Sequence, residues 1–159
     1  MSKKLKEAVS MQGIITNSAD AEIASRCLLQ FYFIESAVLF GSFVEGKQNK
    51  MSDIDIGIVA MKDLSLIEIG LIASRMEIAL KRRVDIVILN DLYTKKPVLA
   101  YKILSKGKVL FCRNRERLIE LKTNTILSFL DTAPLRDAVN RSLRERMRSG
   151  RFGDRNYAG

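Results

Sequence analysis

The sequence contains no histidine and no tryptophan, and it has only two cysteines and two prolines among its 159 residues. Without histidine, the Ser-His-Asp and Cys-His arrangements of nucleophilic catalysis are excluded, and so are nearly all zinc sites. Cys27 and Cys112 each lie in an apolar stretch, where a small buried thiol is common, so no disulfide framework is predicted. Any chemistry must therefore use carboxylates, hydroxyls, amines or a bound hard cation.

Long apolar runs are also missing. No stretch approaches the roughly 18 consecutive apolar residues of a membrane span, and the N-terminal segment MSKKLKEAVSMQG lacks the apolar core of a signal peptide. A hydrophobic content of 47% and a charged content of 28% are typical of a globular chain. These features predict a cytoplasmic protein that does not enter a membrane.

The net charge of +9 predicts an anionic partner. Residues 1–112 carry 16 basic and 12 acidic side chains, a net of +4, whereas residues 113–159 carry 11 and 6, a net of +5. The basic excess is therefore concentrated in the C-terminal part. The arginine face of its last helix is interpreted as a solvated surface, with docking to an acidic protein surface or to RNA as the alternatives.

The apolar pattern predicts helices interspersed with strands. Helices are predicted over residues 20–33, 65–81, 96–105 and 113–130, followed by a last helix that begins near Pro134. Strands are predicted at SAVLFG, DIDIGIVA, RRVDIVILN and KVLFC. This order predicts an α/β (α+β) fold, in which a small mixed sheet is flanked by helices and followed by a helical C-terminal extension.

The same pattern predicts how the chain is divided. We expect a flexible N-terminus over residues 1–18, a single domain over residues 19–112, a helical extension over residues 113–149 and a disordered tail over residues 150–159. In the last helix, an apolar stripe is expected to pack onto the domain, with a protein interface as the alternative; the stripe consists of Leu135, Val139, Leu143 and Met147.

Two aspartates separated by one isoleucine begin the second predicted strand. Alternate residues of a strand point to the same side, so Asp53 and Asp55 project together, about 7 Å apart. Two carboxylates at the end of a buried strand repel each other and lose hydration unless a cation lies between them. Mg²⁺ satisfies that requirement, because it binds one or two carboxylates together with substrate phosphates. A solvated strand end is the alternative interpretation.

Asp85, in the third predicted strand, is a candidate third acid. If this strand pairs beside the second, Asp85 joins the other two carboxylates around a two-ion site, where metals about 4 Å apart activate an attacking oxygen and stabilise a leaving one. A surface ion pair with Arg82 or Arg83 is the alternative for Asp85.

A Gly-Ser turn follows the first predicted strand. Gly41 allows the backbone to approach a phosphate closely, and the amides that follow, with the Ser42 hydroxyl, can donate hydrogen bonds to phosphate oxygens. A triphosphate held at this turn would present its α-phosphorus to the metal site.

The stretch GSFVEGKQNKMSDIDIGI resembles the signature of the DNA polymerase beta-like nucleotidyltransferase superfamily, which has Gly-Ser, Asp-x-Asp about ten residues later and a third acid on a later strand. The short chain and the stretch LAYKILSKGKVLF are similar to the minimal nucleotidyltransferases of prokaryotes. The resemblance covers residues 20–112 and implies a nucleotidyltransferase fold.

The resemblance also implies a reaction and a partner. Members transfer a nucleoside monophosphate from a triphosphate to a hydroxyl with Mg²⁺. Many minimal members are similar in role to antitoxins, which bind a HEPN-domain ribonuclease toxin encoded beside them and adenylylate a tyrosine near its active site. For this chain the resemblance implies Mg²⁺, as two ions, ATP as co-substrate and a HEPN toxin as partner.

The superfamily's site residues transfer to matching positions of this sequence. Gly41 and Ser42 would hold the phosphates, and Asp53 and Asp55 would bind metal. Asp85 would bind metal and help to deprotonate the acceptor hydroxyl.

Two other functions stay open. One is a free-standing nucleotidyltransferase for a small hydroxyl compound such as an aminoglycoside, although no second domain that would enclose such a substrate is evident. The other is a non-catalytic module that neutralises its partner by contact alone. Glu45 favours the latter, because this acid stands where the superfamily commonly shows a basic residue, beside the second glycine of the turn.

Overall fold

A computed structural model describes residues 19–44 and 52–150 of the chain. The predicted flexible N-terminus lies outside the described residues, and so does the predicted tail apart from Gly150. The segment 45–51, which contains Glu45, also lies outside them.

Four strands form one mixed sheet in the order β3-β2-β1-β4. The strands are β1 Ile34–Phe40, β2 Ile54–Ala60, β3 Val84–Ile88 and β4 Lys108–Cys112. β1 pairs antiparallel with both β2 and β4, whereas β2 pairs parallel with β3. The predicted α/β architecture with a small mixed sheet is confirmed.

Six helices accompany this sheet in the described residues. They are α1 Ala19–Leu29, α2 Leu66–Leu80, α3 Leu92–Lys95, α4 Pro97–Lys106, α5 Arg115–Asp131 and α6 Ala133–Arg148. The predicted start of α2 is confirmed: the Ser65 hydroxyl accepts a hydrogen bond from the Glu68 amide, and the Glu68 carboxylate accepts one from the Ser65 amide. Such a cap satisfies amides that a helix start otherwise leaves without partners.

The first predicted helix is longer than the observed one. α1 ends at Leu29 instead of residue 33, and β1 begins at Ile34, two residues earlier than predicted. The reason is a turn between the two elements whose carbonyl groups are bound by a distant side chain. The Arg113 guanidinium donates to the carbonyl oxygens of Leu29, Phe31 and Ile34, a contact that periodicity cannot reveal. The short helix α3 was not predicted.

Both faces of the sheet are covered. On one face the isoleucines of β2, Ile54, Ile56 and Ile58, are at most 1% exposed and pack in the core cluster formed with α1 and α2. On the other face, β1 and β2 contact Ile103 and Leu104 of α4, with further apolar side chains from α5. The strands are therefore fixed from both sides.

The apolar stripe of α6 is not packed onto the domain. Leu135, Val139, Leu143 and Met147 are 68%, 57%, 43% and 62% exposed. The prediction that they pack there is wrong, because an amphipathic pattern determines which face of a helix is apolar but not what covers it. The predicted break after α5 and restart at Pro134 are confirmed.

Within residues 19–44 and 52–150, none of the helices combines the length and apolar character that crossing a bilayer requires.

Candidate active site

The three predicted acids meet at one end of the sheet. Asp55 pairs with Asp85 in the parallel register of β2 and β3, so the predicted pairing of these strands is confirmed. Residues directly opposite each other on neighbouring strands point to the same face, and Asp53 projects to that face because it lies two positions before Asp55. The sheet thus brings the acids of two separate segments together.

Repulsion among these carboxylates is visible at Asp55. Burial raises the pKa of the Asp55 carboxyl, and the neighbouring charges of Asp85 and Asp53 raise it further. The Lys102 ammonium lowers the same pKa, as the smallest of the four influences. At Asp55 burial and the two neighbouring acids therefore outweigh Lys102, and both conditions favour the binding of a cation.

The Gly-Ser turn lies directly against Asp55. Phe40, the last residue of β1, pairs with Asp55, and Gly41 follows with a positive φ of 73°. A Cβ atom at Gly41 would lie 2.0 Å from Oδ2 of Asp55. Both the backbone conformation and this close approach require glycine.

The turn itself is a short 3-10 helix over Gly41–Phe43. The Val44 amide donates to the Gly41 carbonyl oxygen at 3.1 Å, which closes the turn. Ser42 lies in its middle and is partly exposed, and it directly follows Gly41, which lies against Asp55. The structure therefore brings together all five predicted site residues.

The donor set fits Mg²⁺ better than it fits a softer metal. Its side chains are carboxylates alone, which are ligands of hard cations. Across residues 19–44 and 52–150, no three acidic, cysteine or histidine side chains form a ready cage for one ion. Mg²⁺ does not need such a cage, because it is usually held by one or two carboxylates plus substrate phosphates.

Two lysines beside the turn were missed in the sequence. Lys102 and Lys106 line a cleft together with Phe40, Gly41 and Val44. Lys102 lies in the helix predicted over residues 96–105 and Lys106 directly follows it. In the observed helix Pro97–Lys106 their spacing of four residues places them on one face, and this spacing was the available signal. The direction in which that helix packs, and hence the proximity of both lysines to the turn, depends on tertiary structure.

Comparison with known proteins decides the family. The polymerase beta nucleotidyltransferase family matches residues 25–116, more than half of the chain. The chain belongs to this family. The matched segment contains the Gly-Ser turn and all three acids.

One curated relative is the protein adenylyltransferase MntA of Shewanella oneidensis. It is 33% identical over 93 residues, which are 58% of this chain and 65% of the relative. The match thus spans slightly less than two thirds of the relative's length.

Several solved structures share the fold. A chain of a toxin-antitoxin crystal structure with AMP-PNP has a TM-score of 0.67 and 24% identity, over 80% of this chain and 99% of that chain. A mutant of an MntA toxin-antitoxin has a TM-score of 0.64 and 26% identity, over 75% of this chain and 93% of that chain. A chain in the structure of a tri-AMPylated Shewanella oneidensis HEPN toxin in complex with MNT antitoxin has a TM-score of 0.61 and 21% identity, over 78% of this chain and 98% of that chain. The predicted nucleotidyltransferase fold is confirmed.

Proposed function

We propose that this protein is a Mg²⁺-dependent protein adenylyltransferase and an antitoxin. It transfers AMP from ATP to a tyrosine of a HEPN-domain toxin and also binds that toxin. The observation that carries the proposal is the register of Asp55 with Asp85, directly beside the Gly41 turn. This arrangement places candidate metal ligands next to a candidate phosphate-binding turn.

The relatives support the choice of substrate and partner. The curated relative is a protein adenylyltransferase, and two structures of the same fold are a toxin-antitoxin with AMP-PNP and an AMPylated HEPN toxin bound to MNT antitoxin. The net charge of +9 also suits an acidic protein partner. Because the reaction uses ATP, we place it in the cytoplasm.

In the proposed reaction, the turn holds the nucleotide while the acids act at its α-phosphate. Backbone amides and the Ser42 hydroxyl donate to oxygens of the triphosphate, and Asp53 and Asp55 would hold Mg²⁺. Bound Mg²⁺ would neutralise phosphate charge and favour the ionised form of the attacking oxygen. Asp85 would also contribute a metal ligand.

Proton transfer is assigned to Asp85. Its carboxylate accepts the proton of the tyrosine hydroxyl as the phenolic oxygen forms a bond to the α-phosphorus. The bond between the α-phosphorus and the bridging oxygen breaks, and pyrophosphate leaves. The products are AMP-tyrosine and pyrophosphate, so all atoms of ATP and of the hydroxyl are accounted for.

The experiment combines the full chain, ATP and Mg²⁺ with the HEPN-domain protein encoded beside it, and records intact masses. We expect the partner to gain the mass of one or more AMP groups. Asp53→Asn with Asp55→Asn should abolish the gain. The control Asp63→Asn with Asp91→Asn removes two exposed acids beyond the opposite ends of β2 and β3, and it should leave the gain unchanged.

The other outcomes identify the alternatives. Tight binding without any mass gain would identify a non-catalytic binding module. Transfer to an aminoglycoside but not to the HEPN protein would identify the free-standing enzyme. Transfer that survives the double substitution at Asp53 and Asp55 would contradict the assigned metal ligands.

A further inference from the structure

The helix α2 carries apolar side chains on both of its sides. On the inner side, Ile72, Met76 and Leu80 are at most 7% exposed and belong to the core. A surface helix usually presents charged and polar residues on the side away from the core. On α2 that side instead carries large apolar residues, which are 84%, 50% and 75% exposed: Ile67, Leu71 and Ile78. The outer side of α2 therefore has the composition of a buried surface.

The exposed apolar residues form a line along α2. Ile67, Leu71, Ser74 and Ile78 follow each other at steps of four, three and four residues, the spacing that keeps side chains along one face of a helix. Two helices commonly pack along such a line. Ser74 is also exposed, and its side chain is short enough to leave space for a large residue of a packing helix. We call these four residues the outer seam.

Further exposed apolar side chains adjoin the start of the outer seam. They are Leu66, Tyr32 and Met61. The Tyr32 ring contacts the Phe33 ring, and the Met61 amide donates to the Phe33 carbonyl oxygen. Lys62 connects this group to α2, because its ammonium lies over the Phe33 ring and pairs with Glu68. Contiguous apolar patches larger than roughly a few hundred Å² are uncommon on monomers and mark interaction sites, so the seam is the centre of a candidate interface.

The outer seam lies on the opposite side of the sheet from the acids. The inner side of α2 packs with Ile54, Ile56 and Ile58 on one face of the sheet, whereas Asp53 and Asp55 project to the other face. An acceptor hydroxyl bound at the acids therefore does not cover the seam. The reaction at the acids leaves this apolar surface unexplained.

The charges beside the outer seam have opposite sign at its two ends. Residues 62–68 carry one basic and two acidic side chains, a net of −1, whereas residues 75–81 carry two basic and one acidic, a net of +1. A two-fold axis perpendicular to α2 places the start of one helix beside the end of the other. The opposite net charges then face each other, and the two helix dipoles are antiparallel. The pattern is thus complementary to itself, which favours a second copy of the chain over a partner of one charge sign.

We propose that the outer seam binds a second copy of this chain, as an antiparallel helix pair about a two-fold axis. In this pair Ile67 packs against Ile78 of the other copy, and Leu71 fills the space beside Ser74 of the other copy. A standard interface covers about 800 Å² on each partner, so the seam forms its centre and the exposed side chains near Tyr32 extend it. The acid sites of both copies stay open, and the proposed AMP transfer does not require the pair.

Sedimentation equilibrium of the full chain measures the dissociation constant of the pair. We expect a concentration-dependent equilibrium between monomer and dimer for the wild type. Ile67→Gln with Ile78→Gln should raise the dissociation constant at least about tenfold, because the two-fold axis doubles every lost contact. Both side chains are exposed in the single chain, so the variant should fold, and thermal unfolding checks this.

The matched control is Leu135→Gln with Met147→Gln on α6. It also replaces two exposed apolar side chains by glutamine, but these belong to the stripe of α6 and not to the outer seam. We expect the dissociation constant of the pair to change less than about twofold. The comparison separates the seam from a general effect of removing apolar surface.

Engineered cysteines test the direction of the two helices. In the full chain, Ile67→Cys with Ile78→Cys should yield a covalent dimer on oxidation, because each new thiol faces the other position across the pair. Ile67→Cys alone should yield little, since at 1.5 Å per residue its two copies lie about 16 Å apart in an antiparallel pair, beyond the reach of a disulfide. The wild type, with Cys27 and Cys112, gives the background.

Four results would overturn the inference. They are a wild type that stays monomeric at every concentration, an unchanged dissociation constant in the seam variant, an equal effect of the α6 control, and as much covalent dimer from the single cysteine as from the pair. A monomeric wild type whose binding of the HEPN-domain protein is lost in the seam variant would assign the seam to that protein instead. Dimers without AMP transfer would contradict the proposed function alone, whereas transfer by a protein that stays monomeric would contradict only the inference.

Discussion

The acid-bearing end of the sheet and the C-terminal helix α6 are both rich in charged side chains, but the fold fixes them to very different degrees. Asp55 is held by pairing on both sides, with Phe40 of β1 and Asp85 of β3. Gly41 packs against its carboxylate. In contrast, every side chain of the apolar stripe on α6 is at least 43% exposed.

The difference comes from how each element buries its apolar residues. In β2, burying Ile54, Ile56 and Ile58 on one face determines that Asp53 and Asp55 project to the other. The direction of the acids is thus determined by the core. In α6, the Arg136 guanidinium lies 3.9 Å from the centre of the Phe129 ring of α5. None of the four stripe residues is buried, so their packing does not fix the direction of this helix.

The largest effect should come from the isoleucine that separates the acid site from the core. Ile56 is 0% exposed, so Ile56→Ala removes a packed side chain and leaves a cavity. We expect a loss of about 2–5 kcal/mol in the free energy of unfolding, measured by urea denaturation. Ile56→Val should cost roughly 0.5–1.5 kcal/mol. A loss below about 1 kcal/mol for Ile56→Ala would show that this end of the sheet is no better fixed than α6.

The next effect concerns the glycine beside the acids. In Gly41→Ala the new methyl group meets Oδ2 of Asp55 and the backbone keeps a positive φ, so we expect a loss of about 1–3 kcal/mol in unfolding free energy. The rate of AMP transfer should fall by a larger factor than the equilibrium constant for folding, because the turn and Asp55 must move apart. Unfolding curves and transfer rates measure the two effects separately.

Gly70→Ala is the matched control for this substitution. Gly70 lies inside α2, and apart from its chain neighbours and the nearby helix backbone no atom of the described residues lies within 4 Å of a Cβ built there. Alanine is the better helix former, so we expect a gain of up to about 1 kcal/mol with unchanged transfer. Equal losses for the two variants would mean that the contact between Gly41 and Asp55 has no special importance.

A smaller effect is expected from the charge on Asp55. Its pKa in the folded protein is raised above the ordinary value of 3.8, first by burial and then by Asp85 and Asp53. The folded state therefore holds the proton more tightly than the unfolded state does. The contribution of Asp55 to stability is therefore most favourable below pH 3.8 and falls as the pH rises through the raised pKa.

Asp55→Asn removes the loss of stability that accompanies ionisation of Asp55. We expect the variant and the wild type to differ least at low pH, and the variant to be more stable at pH 7 by roughly 0–1 kcal/mol, since the carboxylate is partly hydrated. Urea denaturation across this pH range measures the difference. Added Mg²⁺ should stabilise the wild type more than the variant. A variant that is less stable at neutral pH without Mg²⁺ would contradict the repulsion among the three acids.

The sequence predicted much of the site because strands impose a strict alternation. The spacing of Asp53 and Asp55 sufficed to place them on one face, and the acid in VDIVI suggested that β2 and β3 are neighbours. Their parallel pairing was an inference from the chemistry, which the register of Asp55 with Asp85 confirms. At these positions the alternation of the strands and the need for carboxylates around a cation led to the same arrangement.

The remaining features depend on tertiary contacts that periodicity does not encode. The end of α1 depends on Arg113, which lies more than 80 residues away from Leu29 along the chain and binds its carbonyl group. The approach of Lys102 and Lys106 to Gly41 depends on how α4 packs against β1 and on the tight contact at Gly107. The exposure of the α6 stripe could not be inferred either, since its amphipathic pattern is compatible with burial.

The smallest effect is expected on α6, where Leu143→Ala tests the other side of the comparison. Leu143 is 43% exposed, the least of the four stripe residues, and truncating an exposed side chain leaves no cavity. We expect the free energy of unfolding to change by less than about 0.5 kcal/mol in the isolated protein. Urea denaturation beside Ile56→Ala checks this directly. A loss near that of Ile56→Ala would show that α6 packs against the domain in solution, and the contrast between a fixed sheet end and an exposed helix would then fail.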